Sequence, residues 1–172
     1  KTIIDLTTNH YEDVLEFHKL VNDFGGNYLE NPVFGSVAPA LKGELTVVSS
    51  GKVEVFEAVK PILEKIAKEI FHLQTPSSAT KMKLINNLCL GSFMATLAEC
   101  TALAENCDIP KAKALEILGV GGGQSLVLKA KTQKLIDEDF SPHFSNNAIN
   151  KDLHLLQDLA YNLQQPLYSA AI

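Results

Sequence analysis

The stretch ATKMKLINNLCLGSFMATLAECTALAEN, residues 79–106, decides the fold of this 172-residue chain. Its composition allows one uninterrupted helix, about 40 Å long at 1.5 Å per residue. The middle of that helix is apolar nearly all the way round, so other protein must cover it. The stretch therefore predicts a long central helix that is wrapped by other helices or buried in part by a second subunit.

The region before this helix alternates between two hydrophobic patterns. Short β-type runs cover residues 2–6, 27–31, 45–48 and 70–73, and helical patterns cover 10–24 and 53–68, with a short helical turn ending near 41. Strands that alternate with helices predict βα units and a mainly parallel sheet. After the loop at 75–78 only helices are expected, over 79–106, 110–118, 125–136 and 147–164. The predicted fold class is α/β plus all-α, with one domain over 1–76 and a helical domain over 77–172.

Composition and charge exclude several classes of function. Fifteen basic and twenty acidic side chains give a formal charge of −5, which offers no general attraction to nucleic acid or an anionic membrane. The longest nearly apolar run, Leu88 to Ala98, is shorter than the ~20 residues that cross a bilayer. Three cysteines without a Cys-x-x-Cys pair and five scattered histidines predict no disulfide framework and no metal site. We expect a cytoplasmic protein with no nucleic-acid or membrane partner.

The first candidate for chemistry is the pair Lys83 and Asn87, which stand four residues apart and share one face of the long helix. The ordinary interpretation of such a pair is a solvated first turn. The alternative is a lysine amine in a partly desolvated cleft, where its pKa falls toward neutrality and it can serve as an acid or base. A neighbouring amide could then hold both the amine and a substrate oxygen.

Two further segments admit both a structural and a functional interpretation. Lys151 and Asp152 open the last predicted helix, seven residues after Phe144, and could be no more than an ion pair at a helix start. A predicted strand runs into a tight turn at Gly35, and a helix starts at Ser36. Backbone N–H groups exposed at such a point bind carboxylates or phosphates, although an ordinary strand-to-helix connection has the same pattern.

Four short motifs, at residues 5–8, 31–36, 81–87 and 151–153, stand in register along the chain. Together they resemble the β-hydroxyacid dehydrogenase family, which includes 3-hydroxyisobutyrate dehydrogenase and NADPH-dependent glyoxylate/succinic semialdehyde reductases. Residues 5–8 (Asp-Leu-Thr-Thr) resemble the Asp-x-Ser-Thr turn beside the nicotinamide ribose, and residues 31–36 (Asn-Pro-Val-Phe-Gly-Ser) resemble the substrate-carboxylate motif Ala-Pro-Val-Ser-Gly-Gly/Ser. Residues 81–87 (Lys-Met-Lys-Leu-Ile-Asn-Asn) resemble the catalytic helix signature, and residues 151–153 (Lys-Asp-Leu) resemble a motif near the cofactor.

The resemblance implies hydride transfer between NAD or NADP, with NADP favoured, and a small aldehyde, keto acid or hydroxy acid that carries a carboxylate. It implies that Lys83 and Asn87 are the catalytic residues, with Lys83 as the acid/base, and that Asp152 tunes or orients Lys83. The remaining implied roles are substrate binding by Phe34, Gly35, Ser36 and Asn87, and cofactor binding by Thr8, Phe144, Lys151 and Asp152.

The resemblance also implies a fold, namely the C-terminal half of a Rossmann-type domain joined through one long helix to an all-helical domain. The family's Gly-x-Gly-x-x-Gly motif, which grips the cofactor pyrophosphate, does not occur in residues 1–172. We therefore expect the chain to begin about halfway through that domain and to bind NAD(P) poorly by itself. Two other departures are Phe34 at a serine position, and Gln74, Ser77 and Ala79 at glycine positions before the catalytic helix.

Two rival hypotheses stay open. One is a catalytically inactive fragment or homologue that acts as an oligomerisation or structural module. The other is an enzyme of the same architecture with different chemistry, such as imine reduction or phosphogluconate oxidation. Lys83 disfavours imine reduction. Phosphogluconate oxidation would need basic residues near the last helix to bind the substrate phosphate, and only Lys151 is evident there. In every case the apolar helix predicts a homo-dimer or homo-tetramer.

Overall fold

The computed structural model describes residues 1–170, in which strands and helices alternate up to the long helix and only helices follow it. The strands are β1 (Thr2–Asp5), β2 (Asn27–Glu30), β3 (Val33–Phe34), β4 (Leu45–Ser50) and β5 (Ala67–Leu73). The helices are α1 (Tyr11–Asp23), α2 (Val37–Leu41), α3 (Val53–Leu63), α4 (Ser78–Asn106), α5 (Lys111–Leu118), α6 (Leu126–Ile136) and α7 (Asn146–Asn162). This order confirms the predicted α/β plus all-α class.

The five strands form one mixed sheet. β1 pairs with β2 in parallel, and β4 pairs with β5 in parallel. β2 meets β4 at one antiparallel bridge, Glu30 opposite Ser50, and β3 also pairs antiparallel with β4. β3 was not predicted, because Pro32 favours an extended conformation before it but says nothing of a partner for Val33. This short strand carries Val33 and Phe34 along the edge of β4.

One face of the sheet packs on α3. The buried side chains of Leu29, Val47 and Phe56 form a core with those of Val59 and Leu63. α3 ends at Leu63, five residues before its predicted end at residue 68, because residues from Ala67 onward pair with β4 as part of β5. The helical pattern of 64–68 therefore yields to strand pairing, which buries the Ala67 side chain in the same core.

Contacts divide the described residues into two compact units. The first combines Lys1–Asn86 with His143–Pro166, and the second combines Asn87–Pro142 with residues 167–170. The second unit has its own core, in which Leu97 of α4 packs with Leu115 of α5 and Leu128 of α6. This grouping assigns α7 to the same unit as the sheet, whereas the sequence-based division into 1–76 and 77–172 stays a prediction.

α4 is the longest helix of the described chain and runs from the first unit into the second. Its start and end lie within one residue of the predicted 79–106. By length and composition it could span a bilayer, a criterion that core helices of soluble proteins also meet, yet only 17% of its most apolar window is buried. Exposed apolar side chains along it include those of Met82, Ile85, Phe93 and Leu103. Other described residues of the chain therefore leave most of the apolar surface of α4 exposed, whereas the sequence predicts that protein covers it.

Candidate active site

Lys83 projects from the second turn of α4 toward the short strand β3. Its Nζ donates a hydrogen bond to the Val33 carbonyl oxygen at 2.8 Å and lies 4.9 Å from the centroid of the Phe34 ring, within the range of a cation–π contact. Burial lowers the pKa of Lys83, the nearby Asp152 carboxylate acts to raise it, and the Lys151 ammonium acts to lower it. The net result is a pKa below the ordinary value of 10.5, so a larger fraction of the amine is neutral at a given pH.

The first turns of α7 supply the two charges that act on Lys83. Asp152 is only 3% exposed, and its Oδ1 lies 2.8 Å from Nζ of the neighbouring Lys151. The Lys151 Nζ also donates a hydrogen bond to the Thr8 carbonyl oxygen at 2.8 Å. Lys151 therefore connects α7 to the loop that follows β1. These contacts place three predicted residues, Thr8, Lys151 and Asp152, in one connected group.

A carboxylate organises the loop after β1. The Asp5 carboxylate accepts hydrogen bonds from the Thr7 backbone N–H (2.9 Å), the Thr7 hydroxyl (2.6 Å), the Asn9 amide (2.9 Å) and the Tyr28 hydroxyl (2.5 Å). Burial opposes ionisation of Asp5, but these hydrogen bonds outweigh it, so the pKa of Asp5 lies below its ordinary value. The loop that carries Thr8 is thereby fixed at the carboxyl end of β1.

A second carboxylate, Glu30 at the end of β2, was not among the residues predicted from sequence. It is 2% exposed and accepts hydrogen bonds from the Ser50 hydroxyl, the Ser77 backbone N–H and both the N–H (2.9 Å) and hydroxyl (2.5 Å) of Thr80. His18 Nε2 lies 3.7 Å from its Oε1. Burial acts to raise the pKa of Glu30, but the nearby His18 ring and the hydrogen bonds from Ser50 and Thr80 bring it below its ordinary value. The available signal was a glutamate directly after the buried pair Tyr28-Leu29.

The other predicted site residues lie as follows. Gly35 has φ +117°, and a Cβ there would come within 2.9 Å of the Leu45 Cδ2 atom, so the turn after Phe34 requires glycine. Ser36 is exposed and precedes the five-residue α2 without a side-chain cap. Phe144 is 45% exposed, immediately before the Ser145 cap of α7.

Asn87 lies one helical turn after Lys83 on α4, and its side chain is fully buried. The first unit thus brings Lys83 together with Phe34, Lys151 and Asp152, while the contact grouping assigns Asn87 to the second unit. The predicted roles of all these residues stay predictions. What the geometry provides is a desolvated amine flanked by one buried carboxylate and an aromatic ring.

Comparison with known families covers nearly the whole chain. Residues 1–74 match the model of the NAD binding domain of 6-phosphogluconate dehydrogenase. Residues 77–172 match the model described as NAD-binding of NADP-dependent 3-hydroxyisobutyrate dehydrogenase.

Individual relatives that match nearly the whole chain differ in what they are named for. A 2-(hydroxymethyl)glutarate dehydrogenase of Eubacterium barkeri is 32% identical over 99% of this chain and 57% of its own length. The human cytokine-like nuclear factor N-PAC is 33% identical over 99% of this chain and 31% of its own length.

A solved structure gives the same family. The 3-hydroxyisobutyrate dehydrogenase of Salmonella typhimurium superposes with a TM-score of 0.92 at 29% identity, over 99% of this chain and 60% of that one. The chain thus spans little more than half the length of the dehydrogenases it matches. Together with the lysine-bearing helix and the mixed sheet described above, these matches show that the chain belongs to the β-hydroxyacid dehydrogenase family.

Proposed function

We propose that the protein transfers hydride between NAD or NADP and a small carboxylate-bearing aldehyde, keto acid or hydroxy acid, with Lys83 as the acid/base. The observation that carries this proposal is the position of the Lys83 amine, hydrogen-bonded to the Val33 carbonyl at 2.8 Å and partly desolvated. An amine with a lowered pKa is suited to proton transfer near neutral pH. The activity is proposed for the full-length protein, because the chain spans only part of its relatives.

The residues at the carboxyl ends of β1 and β2 fit one end of a dinucleotide. In open α/β sheets, ligands bind in the crevice at the carboxyl ends of parallel strands, where Asp5 fixes the loop that carries Thr8 and Lys151 reaches its carbonyl. Thr8 and Lys151 would hold the ribose end of the cofactor there. Phe144, just before α7, and Asp152, on α7, would contribute to the same part of the cofactor site. Bound nicotinamide supplies or accepts the hydride. Residues 1–172 contain no Gly-x-Gly-x-x-Gly, so this chain would contribute only that end of the cofactor site.

Lys83 would move the proton that balances the hydride. In the direction of reduction, protonated Lys83 donates its proton to the substrate oxygen as the carbonyl carbon receives the hydride. In the direction of oxidation, neutral Lys83 accepts the proton of the substrate hydroxyl as the hydride leaves. Because the pKa of Lys83 is lowered, the neutral form needed for oxidation is available at a lower pH than for an exposed lysine.

The substrate would be oriented by groups around Lys83. Backbone N–H groups near Gly35 and Ser36 would hold its carboxylate, and the amide of Asn87, one turn along α4, would bind the reacting oxygen or a neighbouring one. Phe34 occupies the position where the family pattern has serine, so its ring replaces a hydroxyl contact with an apolar wall beside the amine. A substrate with some apolar surface next to its carbonyl suits such a wall.

The test uses the purified full-length protein in both directions: glyoxylate and succinic semialdehyde are tried with NADH and NADPH, and 3-hydroxyisobutyrate is tried with NAD+ and NADP+. We expect turnover with at least one of them, and we expect Lys83→Ala to abolish it while cofactor binding by calorimetry changes little. Lys81→Ala is the matched control, since Lys81 lies on the same helix two residues earlier. Near-normal turnover in the Lys83 variant would overturn the acid/base assignment.

A non-catalytic role is the second candidate, and one comparison favours it. Relatives that match this chain at 33% identity are named as nuclear factors rather than enzymes. The exposed apolar side chains on α4, with Leu103 66% exposed, suit assembly into a homo-dimer or homo-tetramer. Light scattering measures the oligomer, and the two roles separate in a simple way. An oligomer that shows no turnover and no cofactor binding would favour the structural role over the enzymatic one.

A further inference from the structure

Two ties join the start of α4 to the end of β2 and the strand that follows it. The first runs from Thr80, whose N–H and hydroxyl donate to Glu30 Oε2 at 2.9 and 2.5 Å. The second runs from Lys83, whose Nζ donates to the Val33 carbonyl at 2.8 Å. Lys83 follows Thr80 by three residues, and Val33 follows Glu30 by three. The ties therefore form two successive rungs between the same pair of segments, on one face of the helix.

The first rung is one of several hydrogen bonds that attach the first turn of α4 to Glu30 and Ser50. The Ser77 N–H donates to Glu30 Oε1, and the Ala79 N–H donates to the Ser50 hydroxyl at 3.2 Å. That hydroxyl in turn donates to Glu30. The side-chain acceptors for these backbone N–H groups are thus Glu30 and its own partner. Helix N–H groups at the first turn have no acceptor within the helix, so a buried carboxylate is a strong one.

We propose that Glu30 is a positioning residue for Lys83: its buried carboxylate fixes the start of α4 against the end of β2 and so places the Lys83 amine at the Val33 carbonyl. A lysine side chain is long and flexible, so its amine is held in one place only if both its helix and its acceptor are fixed. Glu30 fixes the helix, since its partner Thr80 precedes Lys83 by three residues, and pairing of Val33 with Val47 of β4 holds the acceptor. The kinetic consequence of this role rests on the proposed function, whereas the placement of the amine does not.

Glu30 is not among the charges that act most strongly on the pKa of Lys83, which makes the role testable. The charged side chains that act on the pKa of Lys83 are Asp152 and Lys151. A change in Lys83 titration after neutralising Glu30 would therefore come from movement of the amine. Glu30→Gln keeps the size of the side chain and removes its charge. Leu63→Val or Leu63→Ala serves as a control matched for loss of stability, because Leu63 ends α3 and lies in the core between α3 and the sheet.

The experiment measures two properties in the full-length protein, neither of which needs turnover. Amide hydrogen exchange at Ser77 and Thr80, whose N–H groups donate to Glu30, is expected to be about 10- to 100-fold faster in Glu30→Gln, because hydrogen bonds to a charged acceptor are lost. The pH midpoint for labelling of Lys83 by an amine-reactive reagent, followed by peptide mass spectrometry, is expected to move up toward the ordinary lysine value. If the protein turns over, kcat should fall while the KM for the cofactor stays near wild-type.

The control variants decide between positioning and general destabilisation. The proposal is supported if Glu30→Gln moves the Lys83 midpoint and the Leu63 variant of equal stability does not. It is overturned if Glu30→Gln leaves the midpoint in place, or if both variants move it equally. If Glu30→Gln does not fold, Thr80→Val removes one hydrogen-bond donor to Glu30, and Thr80→Ser keeps it. The proposal is then supported if the Lys83 labelling midpoint moves in Thr80→Val but not in Thr80→Ser. It is overturned if the midpoint stays in place in Thr80→Val. Absence of turnover in wild-type protein would count against the proposed function only.

Discussion

Replacing Lys83 with methionine separates catalysis from stability in the clearest way. The variant keeps most of the apolar stem over the Phe34 ring and removes the ammonium group. Folding loses a hydrogen bond from a charged donor to Val33 O, about 1.5–3 kcal/mol, and a cation–π contact of about 0.5–2 kcal/mol. The variant also avoids the cost of removing the ammonium group from water, which is several kcal/mol for a buried charge. The lowered pKa of Lys83 is a sign of that cost.

These opposing effects nearly cancel, so we expect the free energy of unfolding to change by about 1 kcal/mol or less. Turnover should behave differently, because a positioned acid or base contributes about 10²- to 10⁴-fold to rate. That loss corresponds to about 3–5 kcal/mol of transition-state stabilisation at 1.36 kcal/mol per factor of ten. The variant is therefore expected to be folded and stable but nearly inactive.

Lys81→Met is the matched control for this experiment. Lys81 lies on the same helix with its Nζ 5.4 Å from the Tyr11 ring centroid, so it shares the cation–π geometry of Lys83 but not its carbonyl contact. Urea unfolding followed by circular dichroism gives stability, and initial rates with saturating cofactor give kcat. The reasoning is refuted if Lys83→Met keeps more than a tenth of wild-type kcat, or if Lys81→Met loses as much. A large drop in stability of Lys83→Met would also contradict it.

Four further outcomes follow from the same geometry. Asp152→Asn removes the carboxylate that raises the Lys83 pKa, so the alkaline limb of the pH–rate profile for reduction should shift to lower pH; an unmoved limb contradicts this. The pKa of Glu30 is lower in the folded than in the unfolded protein, so its ionised form stabilises the fold above the unfolded pKa, and this stabilisation is lost as the pH falls through the folded pKa. In Glu30→Gln the free energy of unfolding, measured by urea melts, should therefore fall less between about pH 6 and 3 than in the wild type. Ser77→Gly should raise the free energy of unfolding by about 1 kcal/mol, because Ser77 has φ +72°, and lower stability would count against strain there. Phe34→Ser should lower the KM for glyoxylate by restoring a hydroxyl beside the substrate carboxylate, and an unchanged or higher KM argues against that contact.

The helices after residue 75 could be predicted from sequence because local signals define them. Their observed bounds lie within two residues of those predicted. Ser125 and Ser145 cap α6 and α7 with side-chain hydrogen bonds, and Pro110 precedes α5. Caps and hydrophobic periodicity act over a few residues, so no knowledge of distant contacts was needed.

The strand β3 and the end of α3 could not be predicted in this way. Val33 and Phe34 form a strand only because Val47 and Thr46 lie opposite, and nothing local to a two-residue segment specifies a partner twelve or more residues away. Residues 64–68 have a helical pattern, yet pairing with β4 takes Ala67 into β5. In both cases a non-local pairing overrides a local preference.

The candidate site divides along the same line. Lys83 and Asn87 could be picked out because they stand four residues apart on a predicted helix, and Lys151 and Asp152 because residues 151–153 resemble a motif of the family. Glu30 could not, because a single glutamate in a strand carries no spacing to interpret, and its importance comes from donors at Ser50, Ser77 and Thr80 that lie 20 to 50 residues away. Its only local sign was the position of a charged residue directly after the buried Leu29.

Lys83 and Phe34 together suggest why reaction class and substrate choice should vary independently in this site. The placement of the amine depends on a backbone carbonyl, that of Val33, which survives any change of side chain at position 34. The surface next to the amine depends on the side chain of Phe34 itself, whose ring lies 4.9 Å from the Lys83 Nζ. A serine there would offer a hydroxyl to a carboxylate, whereas the phenyl ring offers a face to the ammonium and apolar surface to the substrate. The proton transfer proposed for Lys83 is therefore compatible with either residue at position 34. A change of substrate through that side chain would leave the placement of the amine intact.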